Sequence, residues 1–95
     1  MAEILLIEDD PAISETLSNY LKSEGYTVRT APGQRDGLQL FRQYPPDCIL
    51  LDVSLADGNG FSVCSAIRAV SETPVIFLTA SADESCTVAG FELGA

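Results

Sequence analysis

Histidine is absent from the 95 residues, and lysine occurs once, at Lys22. Five basic residues stand against fourteen acidic ones, for a net charge of −9. A surface of that sign repels a nucleic-acid backbone, whose binding needs Lys and Arg to neutralise phosphates. This segment is therefore not expected to contact DNA directly. Long hydrophobic runs are missing too. The longest early apolar run is residues 4–7, just after Glu3. That is too short for a signal-peptide core, and far short of the roughly twenty residues of a membrane span. The expected location is the cytoplasm, with no membrane contact. The three cysteines, Cys48, Cys64 and Cys86, are odd in number and lack any C-x-x-C pair, which argues against a disulfide framework or a zinc site. Cys48 and Cys64 read as small core residues. Cys86 has Asp83 and Glu84 nearby, the wrong charge to activate a thiol. No low-complexity stretch, repeat or linker divides the chain, so it forms at most one domain.

What is present is an alternation of strand and helix signals, βαβαβαβα. Residues 3–7 make a continuous aliphatic run, the pattern of a parallel strand covered on both faces. Asp10 can cap a helix that accepts Pro11 in its first turn, with Ile13, Leu17, Tyr20 and Leu21 at helical spacing until Gly25 closes it. Residues 26–30 alternate like a half-covered strand. A weaker helix follows over 33–44, with Leu38, Leu40 and Phe41 inward, and Gly37 costing about 1 kcal/mol relative to Ala. Pro45-Pro46 ends it. Residues 48–51 form the next strand, 54–59 a glycine- and aspartate-rich loop, and 60–70 a helix with Val63, Cys64 and Ile67 on one face. Pro74 opens a strand over 75–78. A last helix is predicted from Ser81 and Glu84, which have capping-box spacing, through Val88 and Phe91 to Gly94.

Three of the apolar runs end in residues that handle phosphate or metal. Residues 4–7 run into Glu8-Asp9-Asp10, 48–51 into Asp52, and 75–78 into Thr79. Parallel strands are joined by right-handed crossovers, so their carboxyl ends share one edge, where open α/β sheets bind ligands. Glu8, Asp9, Asp52 and Thr79 should converge there. Crowded carboxylates disfavour full ionisation unless a cation joins them, and hard oxygen ligands with an incomplete protein shell suit Mg²⁺. With the charge screened, one carboxylate can attack a phosphoryl group in line to give an aspartyl phosphate. Asp52 is the best nucleophile because its strand is the middle one of the three.

Along its whole length the chain resembles the receiver domain of a two-component response regulator. The resemblance runs through Ile4-Leu5-Leu6-Ile7-Glu8-Asp9-Asp10-Pro11, Leu50-Leu51-Asp52-Val53-Ser54-Leu55, Gly60-Phe61, Thr73-Pro74-Val75-Ile76-Phe77-Leu78-Thr79-Ala80 and Gly90-Phe91-Glu92-Leu93-Gly94-Ala95. It implies a doubly wound flavodoxin-like α/β fold with strand order 2-1-3-4. It also implies that Asp52 accepts phosphate from a sensor histidine kinase. Asp9, Asp52 and the backbone carbonyl of Ser54 would bind Mg²⁺, and Glu8 would act through water. Thr79 would hydrogen-bond the phosphoryl oxygens, with small Ala80 leaving room. The stretches from Asp52 to Phe61 and from Thr73 to Ala80 are similar to those of OmpR/PhoB-type transcription regulators, whose effector is a winged-helix DNA-binding domain.

Departures from the pattern carry expectations of their own. Ala56 stands where many receivers have proline, so the loop is expected to be more mobile than usual. The family pattern continues past Ala95 into a fifth strand with a lysine and a switch aromatic, then a fifth helix. Residues 1–95 are thus expected to be a partial, C-terminally truncated receiver domain, with Lys22 too remote to substitute. A bare edge at Val75, Ile76, Phe77 and Leu78 would then favour a homodimer or a swapped dimer.

Competing readings fare less well. Solvation alone accounts for Asp10 or Asp57 singly, but not for the joint arrangement of Asp9, Asp52 and Thr79. An FMN phosphate would be repelled by Glu8-Asp9-Asp10. An aspartate phosphatase wants a second acid at the position of Ser54. Gly58-Asn59-Gly60 follows the wrong strand for a dinucleotide fingerprint and lacks its third glycine, and Ala56 breaks a Ca²⁺ loop. The remaining alternative is a receiver-like module that binds metal or partners without phosphotransfer.

Overall fold

The computed structural model describes residues 2–78. Thr79, Ala80, Cys86 and the helix predicted between Ser81 and Gly94 lie outside the described residues. Four parallel strands form one sheet: β1 (Glu3–Ile7), β2 (Thr27–Ala31), β3 (Cys48–Asp52) and β6 (Val75–Leu78), in the order β2-β1-β3-β6. This is the expected 2-1-3-4 arrangement, with β6 as the fourth strand. The helices α1 (Pro11–Ser23), α2 (Gln34–Gln43) and α3 (Gly60–Arg68) connect them. Between β3 and α3 the chain adds a small antiparallel pair, β4 (Ser54–Leu55) with β5 (Gly58–Asn59).

Strand register sorts the apolar residues into two layers. Leu5 pairs with Ile49 and Ile49 with Val75, while Ile7 pairs with Leu51 and Leu51 with Phe77. These side chains face α2 and α3 and form the main core with Phe41, Leu55, Val63, Cys64 and Ile67. Full burial of each such aliphatic side chain contributes about 1.5–3 kcal/mol. The opposite layer is less evenly covered. Leu6 is fully buried, its β3 partner Leu50 half-buried, and Ile76 on β6 53 % exposed. Cys64 is a core residue as expected, but Cys48 is only half-buried on this second face. Burial raises the Cys48 thiol pKa.

Several boundaries shift for identifiable reasons. Strand β2 starts one residue later than predicted because the Tyr26 N–H turns back to the Leu21 carbonyl at 3.1 Å, leaving Thr27 to pair with Glu3. Gly33 and Tyr44 fall outside α2 as its caps, and α3 ends at Arg68 rather than at Val70. On α1 the seam facing the sheet is Ser14, Leu17, Ser18 and Leu21. The predicted inward residues Ile13 and Tyr20 flank it and are 42 % and 60 % exposed.

Gly37 has a role that helix propensity does not convey. A Cβ there would lie 2.5 Å from Ile7 Cδ1, so only glycine lets α2 approach β1 this closely. That approach fixes Ile7, the residue immediately before Glu8.

Candidate functional site

Register builds the site. Each β1 residue from Ile4 to Ile7 pairs with the β3 residue from Cys48 to Leu51, and one further step sets Glu8 beside Asp52 at the carboxyl ends of both strands. The three consecutive acids after β1 then divide their tasks. Glu8 continues the strand: its N–H donates to the Ala31 carbonyl at 3.0 Å, and its side chain is 6 % exposed. Asp9 is exposed at the crevice. Asp10 turns away and caps α1, Oδ1 accepting from Ala12 N–H at 2.9 Å and Ile13 N–H at 3.3 Å, with Pro11 in the first turn.

Glu8, Asp9 and Asp52 each offer one carboxylate oxygen, and these oxygens all lie within 4.8 Å of one another. Burial first, then the hydrogen bond to Asp52 and the charge of that neighbour, together push the Glu8 carboxyl up to about 7, against a lowering contact from Asp10 N–H. Such a group holds a proton where water would not let it, unless a cation takes the proton's place. Oxygens on opposite sides of a Mg²⁺ ion are about 4.2 Å apart, from the ion's ~2.1 Å bond length. The hard, all-oxygen donor set suits that ion, and three oxygens within 4.8 Å of one another are close to that span. Lys22 lines the same side of α1, in a groove of about 520 Å³ that begins at Glu8 and Asp9. It lies eleven residues beyond Pro11, about 16 Å along the helix at the usual rise, too far to neutralise the cluster.

Of the predicted site residues, the structure brings Glu8, Asp9 and Asp52 together. Ser54 follows two residues after Asp52, in β4, where it pairs with Asn59. Thr79 and Ala80 lie outside the described residues. One residue near the site has a larger part than its sequence suggested. Asp57, read as a solvated surface acid, is indeed exposed but accepts two backbone N–H bonds from the start of α2, at 2.7 and 3.1 Å. A clue was available in the missing cap: no Ser, Thr, Asp or Asn precedes α2, so its first amides needed a partner from elsewhere.

The site is thus an acidic crevice at the carboxyl ends of two adjacent strands of a flavodoxin-like parallel sheet. Residues 4–95 match the response regulator receiver domain family, and the chain belongs to it. It is 46 % identical over its whole length to the transcriptional regulatory protein AfsQ1 of Streptomyces coelicolor, of which it covers 42 %. It is 38 % identical over 97 % of its length to the DNA-binding response regulator MtrA of Mycolicibacterium smegmatis, covering 40 % of that protein. The chain thus spans about two-fifths of the length of these relatives. Among solved structures, the non-phosphorylated HemR receiver domain from Leptospira biflexa matches all of this chain and 77 % of its own, with a TM-score of 0.88 at 38 % identity. Among the described residues, no helix is long and apolar enough to cross a membrane.

Proposed function

We propose that the chain is a phosphoacceptor domain that takes a phosphoryl group from a sensor histidine kinase onto Asp52 in a Mg²⁺-dependent reaction. The observation that carries this reading is the convergence of Glu8, Asp9 and Asp52 at the carboxyl ends of adjacent strands. Asp9 and Asp52, with the Ser54 carbonyl, would hold the cation, and Glu8 would act mainly through water. When bound, Mg²⁺ supplies the positive charge that lets a carboxylate approach a phosphoryl group. Asp52 Oδ attacks phosphorus in line and the donor departs with its bonding electrons. Thr79 donates its hydroxyl to the new phosphoryl oxygens, and Ala80 leaves room for them.

The output in this reading is transcriptional. The relatives are described as a transcriptional regulatory protein and a DNA-binding response regulator, which supports an OmpR/PhoB-type arrangement with a winged-helix DNA-binding effector, working in the cytoplasm. The acidic receiver segment itself stays off the DNA. Residues 1–95 then supply the receiver part of that larger protein.

The test is labelling. Mg²⁺ and a small phosphodonor such as acetyl phosphate should add one acyl phosphate per full-length molecule, and Asp52→Asn should abolish it. Undiminished labelling of Asp52→Asn would move the acceptor elsewhere. Cation binding without any labelling would favour the alternative of a metal- or partner-binding module.

A further inference from the structure

Asp57 stands five residues after Asp52, on the excursion between β3 and α3, yet its carboxylate lies at the start of α2. Oδ1 accepts from Gln34 N–H at 2.7 Å and Oδ2 from Arg35 N–H at 3.1 Å. The preceding residue, Gly33, offers no side-chain cap, so an acid 23 positions after Gln34 closes this helix. The fit is tight on both sides. A Cβ at Gly33 would lie 2.6 Å from Asp57 Oδ1, and one at Gly58 would collide with the Gln34 side-chain amide. The Gln34 and Arg35 amides also hold the Asp57 carboxyl below the usual carboxylate range, so it stays an anion at neutral pH.

A local cap would stabilise one helix. This one joins the segment after Asp52 to the start of α2, which follows the strand that holds Glu8 by its backbone. On the β3 side, Leu55 is 6 % exposed in the core, Ser54 pairs with Asn59, and Gly60 N–H returns to the Val53 carbonyl at 2.7 Å. On the α2 side, the chain leads back from Gly33 to Ala31, whose carbonyl holds Glu8 N–H at 3.0 Å. The contacts run from Asp52 through Asp57, the start of α2 and Ala31 to Glu8. Together with the β1–β3 pairing they link the backbone segments of Asp52 and Glu8 by a second route.

We propose that Asp57 is a positioning residue for the acidic site, clamping the loop after Asp52 to α2 and so fixing its distance from the loop that carries Glu8 and Asp9. The proposal rests on the metal and phosphoacceptor reading above. In it, Asp57 touches neither cation nor phosphate and acts through the loop backbone.

Four variants of the full chain separate the possibilities. Asp57→Ala should weaken Mg²⁺ binding, followed by amide NMR shifts, by about tenfold, the low end for residues that orient metal ligands, and should slow labelling by acetyl phosphate. Asp57→Asn, whose carbonyl can replace one of the two acceptor oxygens, should fall in between. Asp47→Ala removes another long-range carboxylate bond, to Glu3 N–H at the opposite end of the sheet. It should lower the melting temperature but leave Mg²⁺ affinity at the wild-type value. Wild-type Mg²⁺ affinity in both Asp57 variants, with only the melting temperature reduced, would overturn the proposal and leave Asp57 a helix cap. Asp52→Asn keeps the two readings distinct. If it retains cation binding and labelling, the phosphoacceptor reading fails; if it loses them while the Asp57 variants do not, only the positioning role fails.

Discussion

Glu8 and Asp52 stand side by side because β1 and β3 keep their register to the last residue. Ile7 pairs with Leu51, and the next step on each strand is an acid. A parallel sheet would not ordinarily place two carboxylates on adjacent strand ends without something to separate their charges. The separation here is partly a proton, held on Glu8 with a pKa of about 7.

That proton makes stability fall with pH. Glu8 titrates near 4.5 in an unfolded chain and near 7 in the folded one, so the folded state binds the proton more tightly. Its contribution is fully present below 4.5, declines as pH rises through the interval, and is gone above 7. Mg²⁺ competes with the same proton. The increase in melting temperature caused by millimolar Mg²⁺ should therefore grow from pH 5.5 to pH 8, and binding near pH 7 should release protons measurable by calorimetry in buffers of different ionisation enthalpy. A Mg²⁺ effect independent of pH would remove Glu8 from the cation's surroundings.

The consecutive acids Asp9 and Asp10 should separate cleanly under mutation. Asp10 caps α1 through Ala12 and Ile13 amides, so Asp10→Ala should cost about 1 kcal/mol of stability. Its effect on Mg²⁺ affinity should be small. Asp9→Ala should do the reverse, losing most of the cation affinity with little change in melting temperature. Equal effects of the two on an NMR-followed Mg²⁺ titration would place the cation somewhere other than between Asp9 and Asp52.

Much of this was legible in the chain, and the limits have physical causes. The aliphatic run at Ile4-Leu5-Leu6-Ile7 and the acids after it fix a buried parallel strand and its polar end, because period and punctuation are local signals. The strand order came from the resemblance to receiver domains, because crossover chirality fixes the hand of each connection but not which strands are neighbours. The missing cap before α2 showed that its first amides needed a partner, but not that Asp57, 23 and 22 residues away, would be that partner. Gly37 misled for a similar reason: propensity counts it as a weak helix residue, whereas its value lies in the Ile7 side chain it meets. Tyr20 and Ile13 misled because apolar spacing marks a helix face without saying which edge of that face the sheet covers.

Gly37→Ala tests the close approach. The substitution improves helix propensity by about 1 kcal/mol, but inserting a methyl into a packed contact costs about 1–3 kcal/mol. With Ile7 Cδ1 only 2.5 Å from the new atom, the packing penalty should win and the melting temperature should fall. Ile7→Val removes Cδ1 and should recover part of the loss, visible as a favourable coupling in a double-mutant cycle. Stabilisation by Gly37→Ala alone would mean that α2 can move off β1 at no cost.

Asp52→Asn should also be informative without any phosphodonor. Removing one of two neighbouring negative charges relieves the repulsion that helps raise the Glu8 pKa, alongside the dominant effect of burial. The variant should therefore show a higher melting temperature than the parent above pH 7 without Mg²⁺. A gain of ~1 kcal/mol would appear as roughly 4–8 °C in a domain of this size. The gain should shrink as pH falls below 4.5, where Glu8 becomes protonated in both folded and unfolded chains. Millimolar Mg²⁺ should narrow it too, because only the parent keeps the full set of carboxylates for the cation. A variant less stable than the parent above pH 7 would mean that Asp52 is a net stabilising partner of its neighbours, and the strand-end pair of acids would have to be explained without repulsion.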